Sequence, residues 1–226
     1  VGGMTSGIDD ETASKMRQEL TNVLPVACEL FDLYWELSFK LRERIGTWGD
    51  DQPAYYLAST GTSFPTYDSD ILRLMAPDGE IYNSFPARSF REYLTYKESD
   101  YSYAGYTSVN GEVLRANSLA RVNMTRTMGT PLADQYLLRF RQEFGAPAHA
   151  ILLFDICRGI ELVYAIERAI EILGQPLCDS PVAVPHTPRD GEGYGLVEAP
   201  RGPLIHHYLI ENGLIAKAEF IIPTVH

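Results

Sequence analysis

The chain has 226 residues, 45% hydrophobic and 22% charged, an ordinary globular composition with room for one large core or two small ones. Its formal net charge of −11 argues against nucleic acid or an anionic membrane surface as the principal partner. No apolar run reaches the roughly 18 residues of a transmembrane helix, and the first residues carry no basic-then-apolar leader.

Residues 12–45 are expected to form a long helix. Met16, Leu20, Val23, Leu24, Ala27, Leu30, Phe31, Tyr34, Leu37 and Leu41 fall at i, i+3, i+4 spacing, and Asp9, Asp10 and Glu11 sit where the helix dipole favours negative charge. Pro25 removes a mid-helix hydrogen bond and predicts a kink or break near residues 22–24, with Gly46 as terminator. The segment 47–117 changes character, with tyrosines, turn residues and short β-like runs, and reads as a possible β-containing insertion. Within it, residues 71–75 and 80–82 read as a hairpin closed by Asp78-Gly79. Its tyrosines (Tyr93, Tyr96, Tyr101, Tyr103, Tyr106) have too little positive charge nearby to stack bases, so packing or a half-exposed surface is expected.

Thr130 and Pro131 are expected as N-cap and first residue of the next helix, ended by Gly145. A second long helix is expected over 147–173. Its core stripe is Ile156, Ile160, Val163, Ile166, Ile170 and Leu173, with Arg158, Glu161, Tyr164, Arg168 and Glu171 on the opposite, polar face, where Arg158 and Glu161 at i, i+3 are expected to form a solvated ion pair. A proline-rich loop follows. Three β-like runs (194–198, 204–210, 214–222) come last, the final two joined by Asn212-Gly213, a strong hairpin signal. The fold class is therefore α+β, helix-dominated, with a small antiparallel sheet near the C-terminus.

Local spacing alone identifies no mechanism. His206 and His207 are adjacent on an expected strand, so they point to opposite faces and cannot grip one ion; a structural histidine bonded to backbone is expected. Gly191-Glu192-Gly193-Tyr194-Gly195 lacks the Gly-Lys-Ser/Thr of a phosphate loop and leads into a strand. Cys28, Cys157 and Cys178 form no C-x-x-C, which suits reduced thiols in a cytoplasm, with Cys28 and Cys157 buried and inert. More pointed is Glu198-Ala199-Pro200-Arg201-Gly202. An arginine held between proline and glycine at the mouth of a hairpin has a fixed backbone direction and presents a preorganised donor fork.

Four segments together resemble the large subunit of nickel–iron hydrogenases. They are Gly2-Gly3, Ser118-Leu119-Ala120-Arg121-Val122-Asn123, the Glu198–Gly202 motif with His206, and Pro223-Thr224, in the family's order over essentially the whole chain. Ser118 departs from the family's Gly-Pro-Leu-Ala-Arg wording only near the start of that motif. The helix around 158–173 looks closest to the cytoplasmic branch serving viologen-type, deazaflavin or nicotinamide partners. The resemblance implies that Arg201 overhangs the open side of a nickel–iron centre with cyanide and carbonyl ligands, near the substrate. It also implies that Pro200 and Arg201 cradle one cyanide and that Pro223 and Thr224 hold the other. The implied partner is an iron–sulfur small subunit, with further electron-transfer subunits possible.

Family members bind the metals through four thiolates, from an early R-x-C-G-x-C and a late D-P-C-x-x-C, and neither motif occurs here. The first pair precedes the family's Gly-Gly and the second follows its Pro-Thr. Residues 1–226 are accordingly expected to be one large-subunit-like domain that is an internal fragment, inactive and without a cofactor by itself. The rival expectation is a metal-free, hydrogenase-like scaffold, assembly or electron-transfer module related to the quinone-site subunit of respiratory complex I.

Overall fold

Asp9 accepts a hydrogen bond from the Thr12 N–H at 2.7 Å, and from that cap helix α1 runs over Asp10–Lys40 in the computed structural model. The structure describes residues 7–41, 43–44, 52–59, 70–176, 187 and 189–225, so Gly2, Gly3, Gly46 and Cys178 lie outside the described residues. The expected break at Pro25 is absent: α1 is one element across it. A mid-helix proline costs ~3 kcal/mol. Burial of Ala27, Phe31 and Trp35 just beyond it, each 7% exposed or less, offsets that cost.

After α1 come β1 (Tyr55–Ala58), β2 (Ile71–Met75), β3 (Ile81–Pro86), α2 (Phe90–Tyr93), β4 (Thr95–Ser99), β5 (Ser102–Val109) and β6 (Glu112–Arg115). Then follow α3 (Asn117–Met124), α4 (Pro131–Phe144), α5 (Phe154–Ile172), β7 (Gly191–Ala199), β8 (Gly202–Glu211) and β9 (Leu214–Ile221). The fold is α+β, as expected. β1–β6 form a mixed sheet in the order β3-β2-β1-β6-β5-β4, parallel only between β1 and β6. β7, β8 and β9 form a separate antiparallel sheet, its last turn made by Asn212 (φ 54°) and Gly213 (φ 71°) as the Asn-Gly pair predicts.

Alternation along β1 sets the layering. Leu57 points to one face, where Leu72, Leu74 and Phe85 meet Ile205 and Ile221 of the small sheet. Tyr56 points to the other, packing with Met75 on Ala120 of α3. Beyond α3 lies the helical core of Phe31, Trp35, Leu137, Phe140, Ile156 and Ile160. The large sheet is thus sandwiched between the helices and the small sheet.

Several expectations need correction. Residues 147–150 are not helical; a 3-10 turn spans Ile151–Leu153 and α5 starts at Phe154. Asn123 holds both the N–H (3.0 Å) and the C=O (2.8 Å) of Ala148, so that backbone is engaged elsewhere. Thr130 occupies the N-cap position of α4, but its side chain makes no capping bond. Glu167 of α5 caps α4 instead, accepting from Leu132 and Ala133 N–H at 2.9–3.1 Å. The apolar stripe of α1 is only partly core: Val23, Leu30 and Leu37 are about half exposed, while Trp35 is 2% exposed. Tyr101 and Tyr103 are fully exposed rather than half-exposed.

Helices α1 and α5 approach closely because Gly159 has no side chain. A Cβ there would lie 2.2–2.3 Å from carbons of the Phe31 ring. That ring is itself held edge-on by Tyr136 at 4.7 Å and Trp35 at 6.0 Å. Gly→Ala favours a helix by ~1 kcal/mol, but overpacking a pinned ring costs ~1–3 kcal/mol or more. Gly159→Ala is therefore expected to destabilise, by ~1–2 kcal/mol in urea unfolding, with partial rescue by Phe31→Leu.

Candidate functional site

The β7–β8 hairpin closes with Ala199 paired to Gly202, so Pro200 and Arg201 are its two turn residues. Gly202 has φ 129°, a backbone state that a side chain would strain, and it is buried. Ile205 of β8 pairs with Ile221 of β9, and β9 leads into a 3-10 turn over Pro223–Val225. The exit of β9 therefore lies alongside the start of β8. This register brings Pro200 and Arg201 to the same end of the small sheet as Pro223 and Thr224. Arg201, Pro200 and Thr224 are exposed, and Pro223 is buried. No hydrogen bond or ion pair holds the Arg201 guanidinium among the described residues.

What holds the turn is Arg121, whose side chain is 3% exposed. Its Nε and Nη2 donate to the two oxygens of Glu161 on α5 at 2.7 and 2.9 Å. Nη1 donates to Glu198 Oε1 at 2.8 Å and to the Ala199 carbonyl at 3.0 Å. Nη2 also donates to the Pro200 carbonyl at 2.9 Å. The other oxygen of Glu198 accepts from both the N–H and the hydroxyl of Ser59, at 2.8 Å each. Burial disfavours the charge on Arg121, but the two carboxylates outweigh it and hold the group above the ordinary arginine value. Burial pushes the Glu161 carboxyl up; Arg121 pulls it down, and the neighbouring Glu198 charge adds to the rise.

Arg121 reaches this place through a sharp turn between β6 and α3. Asn117 there has φ 74°, and its side-chain oxygen accepts from the Leu119 N–H at 2.9 Å. Asparagine is one of the few side-chain-bearing residues that adopts this left-handed region readily. Ser118 then ties α3 to α5 by donating to the Phe154 carbonyl at 2.7 Å.

Sequence reasoning missed most of this network. Arg121 was legible as part of a motif, but nothing in its spacing indicates five bonds. Glu161 and Tyr164, expected on a solvated face, are instead an ion-pair partner and a buried ring. Arg158 pairs with Asp155 rather than with Glu161. The available signal was position: Cys157, Ile160, Glu161 and Tyr164 share one helical face.

The adjacent histidines do split across the sheet as expected. His206 is half-buried among Phe220 and Tyr208, while His207 is 2% exposed. The partners of His207 are side chains, not backbone. Nε2 lies 2.6 Å from Glu192, and Nδ1 lies 2.6 Å from Arg91 Nη2. Nδ1 also lies 3.0 Å from Glu219 Oε2, and the Arg91 guanidinium holds that same carboxylate, so the ring is fixed by charged side chains on both of its nitrogens. Hydrogen bonding from Arg91 is the main cause that brings Glu219 down to about 2. A depressed carboxylate stabilises above its unfolded value of 4.5 and loses that contribution as pH falls toward 2. Glu219→Gln should therefore flatten the wild-type loss of stability between pH 4.5 and 2, read from urea midpoints.

The residues present do not fit a nickel–iron centre by themselves. Among the described residues no group of three or more His, Cys, Asp or Glu could hold a metal ion. Cys157 is fully buried, and burial pushes its thiol well up; Cys28 is half-buried and shifted the same way. Both therefore favour the protonated thiol over the thiolate that such a metal requires.

The layered α+β fold, with an arginine-tipped hairpin fastened to its helical layer, has clear counterparts among known proteins. A family profile described as nickel-dependent hydrogenase matches residues 64–226, and the chain belongs to that family. It is 31% identical to the vhu-type F420-non-reducing hydrogenase protein of Methanocaldococcus jannaschii, over 100% of this chain and 55% of the relative. It is 29% identical to the NAD-reducing hydrogenase HoxS subunit beta of Cupriavidus necator, over 89% of this chain and 43% of that one. In structure it resembles an NAD+-reducing [NiFe]-hydrogenase in the H2-reduced state, with TM-score 0.87 and 22% identity over 100% of this chain and 52% of the other, a likeness of fold. The chain spans about half the length of the curated relatives it matches. Among the described residues no helix is long and apolar enough to cross a membrane.

Proposed function

We propose that residues 1–226 form one domain of a nickel–iron hydrogenase large subunit, in a cytoplasmic enzyme. The parent protein cleaves dihydrogen heterolytically and reversibly to hydride and proton, and passes electrons to an iron–sulfur small subunit. In this reading the thiolate ligands come from sequence outside residues 1–226, so the 226-residue chain alone is inactive and metal-free. Pro200, Arg201, Pro223 and Thr224 form part of the protein wall of the site. Arg201 acts as a fixed cation that presents a planar fork of donors, an electrostatic and positioning role rather than that of a base.

The observation that carries this reading is the placement of the two motif segments. The Pro200-Arg201 turn and Pro223-Thr224 lie at one end of one sheet, with an exposed guanidinium there that has no hydrogen-bond or ion-pair partner among the described residues. Such a guanidinium is free to serve a site completed by other groups. The test compares the 226-residue chain with the longer coding sequence that this reading requires around it. Stoichiometric nickel and hydrogen oxidation are expected in the longer protein, and neither in the shorter. Stoichiometric nickel held by Cys28, Cys157 or Cys178 in the short chain would overturn the reading. A longer protein without the cysteine pairs would make the metal-free scaffold the better one.

A further inference from the structure

We infer that Arg121 is a positioning residue: it fixes the direction in which Arg201 points by clamping the backbone of the two residues before it. The inference rests on the proposed role of Arg201.

Three observations carry it. A guanidinium has five N–H donors, and all five of Arg121 are engaged: two on Glu161, one on Glu198, one on each of the carbonyls of Ala199 and Pro200. The two carbonyls are those directly preceding Arg201, so their orientation sets the plane from which its Cα departs. Arg201 itself has no side-chain partner among the described residues, so nothing further along the side chain can correct a turn that drifts. The clamp is also anchored, not merely attached. Its other side is a bidentate pair with Glu161 on α5, and Glu198 is in turn gripped by Ser59 at the end of β1. The turn is thereby referenced to two elements of the rigid layers at once, whereas a hairpin tip is ordinarily held only by its own ladder. A displacement of about 1 Å at a reacting group suffices for a ~100-fold loss of rate, so such an anchor has functional consequence.

A purely structural Arg121 would neutralise Glu161 and Glu198 and do nothing to the turn in particular. Lysine separates the two roles, since it keeps the charge but has three donors on a tetrahedral head and cannot reach two carboxylates and two carbonyls together. Amide hydrogen exchange on the 226-residue chain reads this without any metal. In Arg121→Lys, peptides spanning residues 199–203 are expected to exchange at least ~10-fold faster, with α5 and the centre of β8 unchanged. Unchanged exchange at the turn, or an equal rise everywhere, would overturn the inference. If Arg121→Lys does not fold, Glu161→Gln serves: an amide can accept from only one of the two facing N–H groups, so the same peptides should loosen to a smaller degree.

A second arm uses turnover in the longer protein, comparing Arg121→Lys, Arg201→Lys and the double variant. Acting through Arg201, the Arg121 change should add less than ~3-fold to the loss already caused by Arg201→Lys. Losses that multiply would overturn the inference. Normal turnover in Arg201→Lys together with a loosened turn in Arg121→Lys would leave the clamp standing and remove the proposed role of Arg201.

Discussion

Arg201→Lys, made in the parent hydrogenase that we propose contains this chain, is expected to leave the metal centre loaded and yet to lower hydrogen-oxidation turnover by a factor on the order of 100, the usual scale for removing one preorganised electrostatic donor. Charge is conserved in this change, so geometry decides it. Arginine offers a planar, weakly hydrated fork at the end of a stem; lysine offers a compact, strongly hydrated head with freer rotation. The position is built for direction. Gly202 adopts a φ of 129° that closes the turn, Pro200 restricts the chain on the other side, and Arg121 holds the carbonyls of Ala199 and Pro200. Infrared bands of iron-bound cyanides in the same variant should shift slightly, because one nearby donor has changed. Near-normal turnover with unshifted bands would reduce Arg201 to an exposed surface residue.

The parts of this arrangement that were legible in the sequence are those written locally. Asp78-Gly79 and Asn212-Gly213 specify turns whatever surrounds them, and both hairpins formed. Pro131 and Gly145 bracket α4 correctly. The α+β class follows from the switch between helical and alternating periods. The failures are all tertiary. Pro25 looks like a breaker until Phe31, buried against α5, and Trp35, buried against Phe144 of α4, stabilise the helix beyond it. Thr130 looks like a cap until a carboxylate on another helix, Glu167, reaches the N–H groups of the first turn. Glu161 looks solvated until Arg121, 40 residues earlier, arrives over it. A charged residue on a helix reads as surface because most are, and only a partner from another element makes its burial tolerable. The motif arginine is legible for the opposite reason: Pro and Gly on either side leave a local trace of a backbone made to aim something.

The largest stability effect is expected at Arg121 rather than at either of its carboxylates. Arg121→Met removes the cation bonded to both Glu161 and Glu198, whose side chains are 18% and 3% exposed, and leaves two like charges in a water-poor site. Breaking a buried pair in this way costs ~3–5 kcal/mol. Glu198→Gln keeps the shape and leaves Arg121 bidentate on Glu161, so its penalty is limited to unsatisfied donors, ~1–3 kcal/mol. Urea unfolding at neutral pH should rank the two in that order, and the reverse order would mean that the network is not the one described. The pH dependence gives an independent check of sign. Burial already raises Glu161 above its unfolded value of 4.5, and loss of Arg121 removes the opposing pull, so in Arg121→Met the folded state binds a proton more tightly than the unfolded one. A raised carboxylate destabilises fully above its folded pKa and ceases to do so below its unfolded value. The gap in stability between wild type and Arg121→Met should therefore be widest near neutral pH and narrow as pH falls toward 4.5. A gap that widened on acidification would show that the two carboxylates do not share Arg121 as their counter-charge.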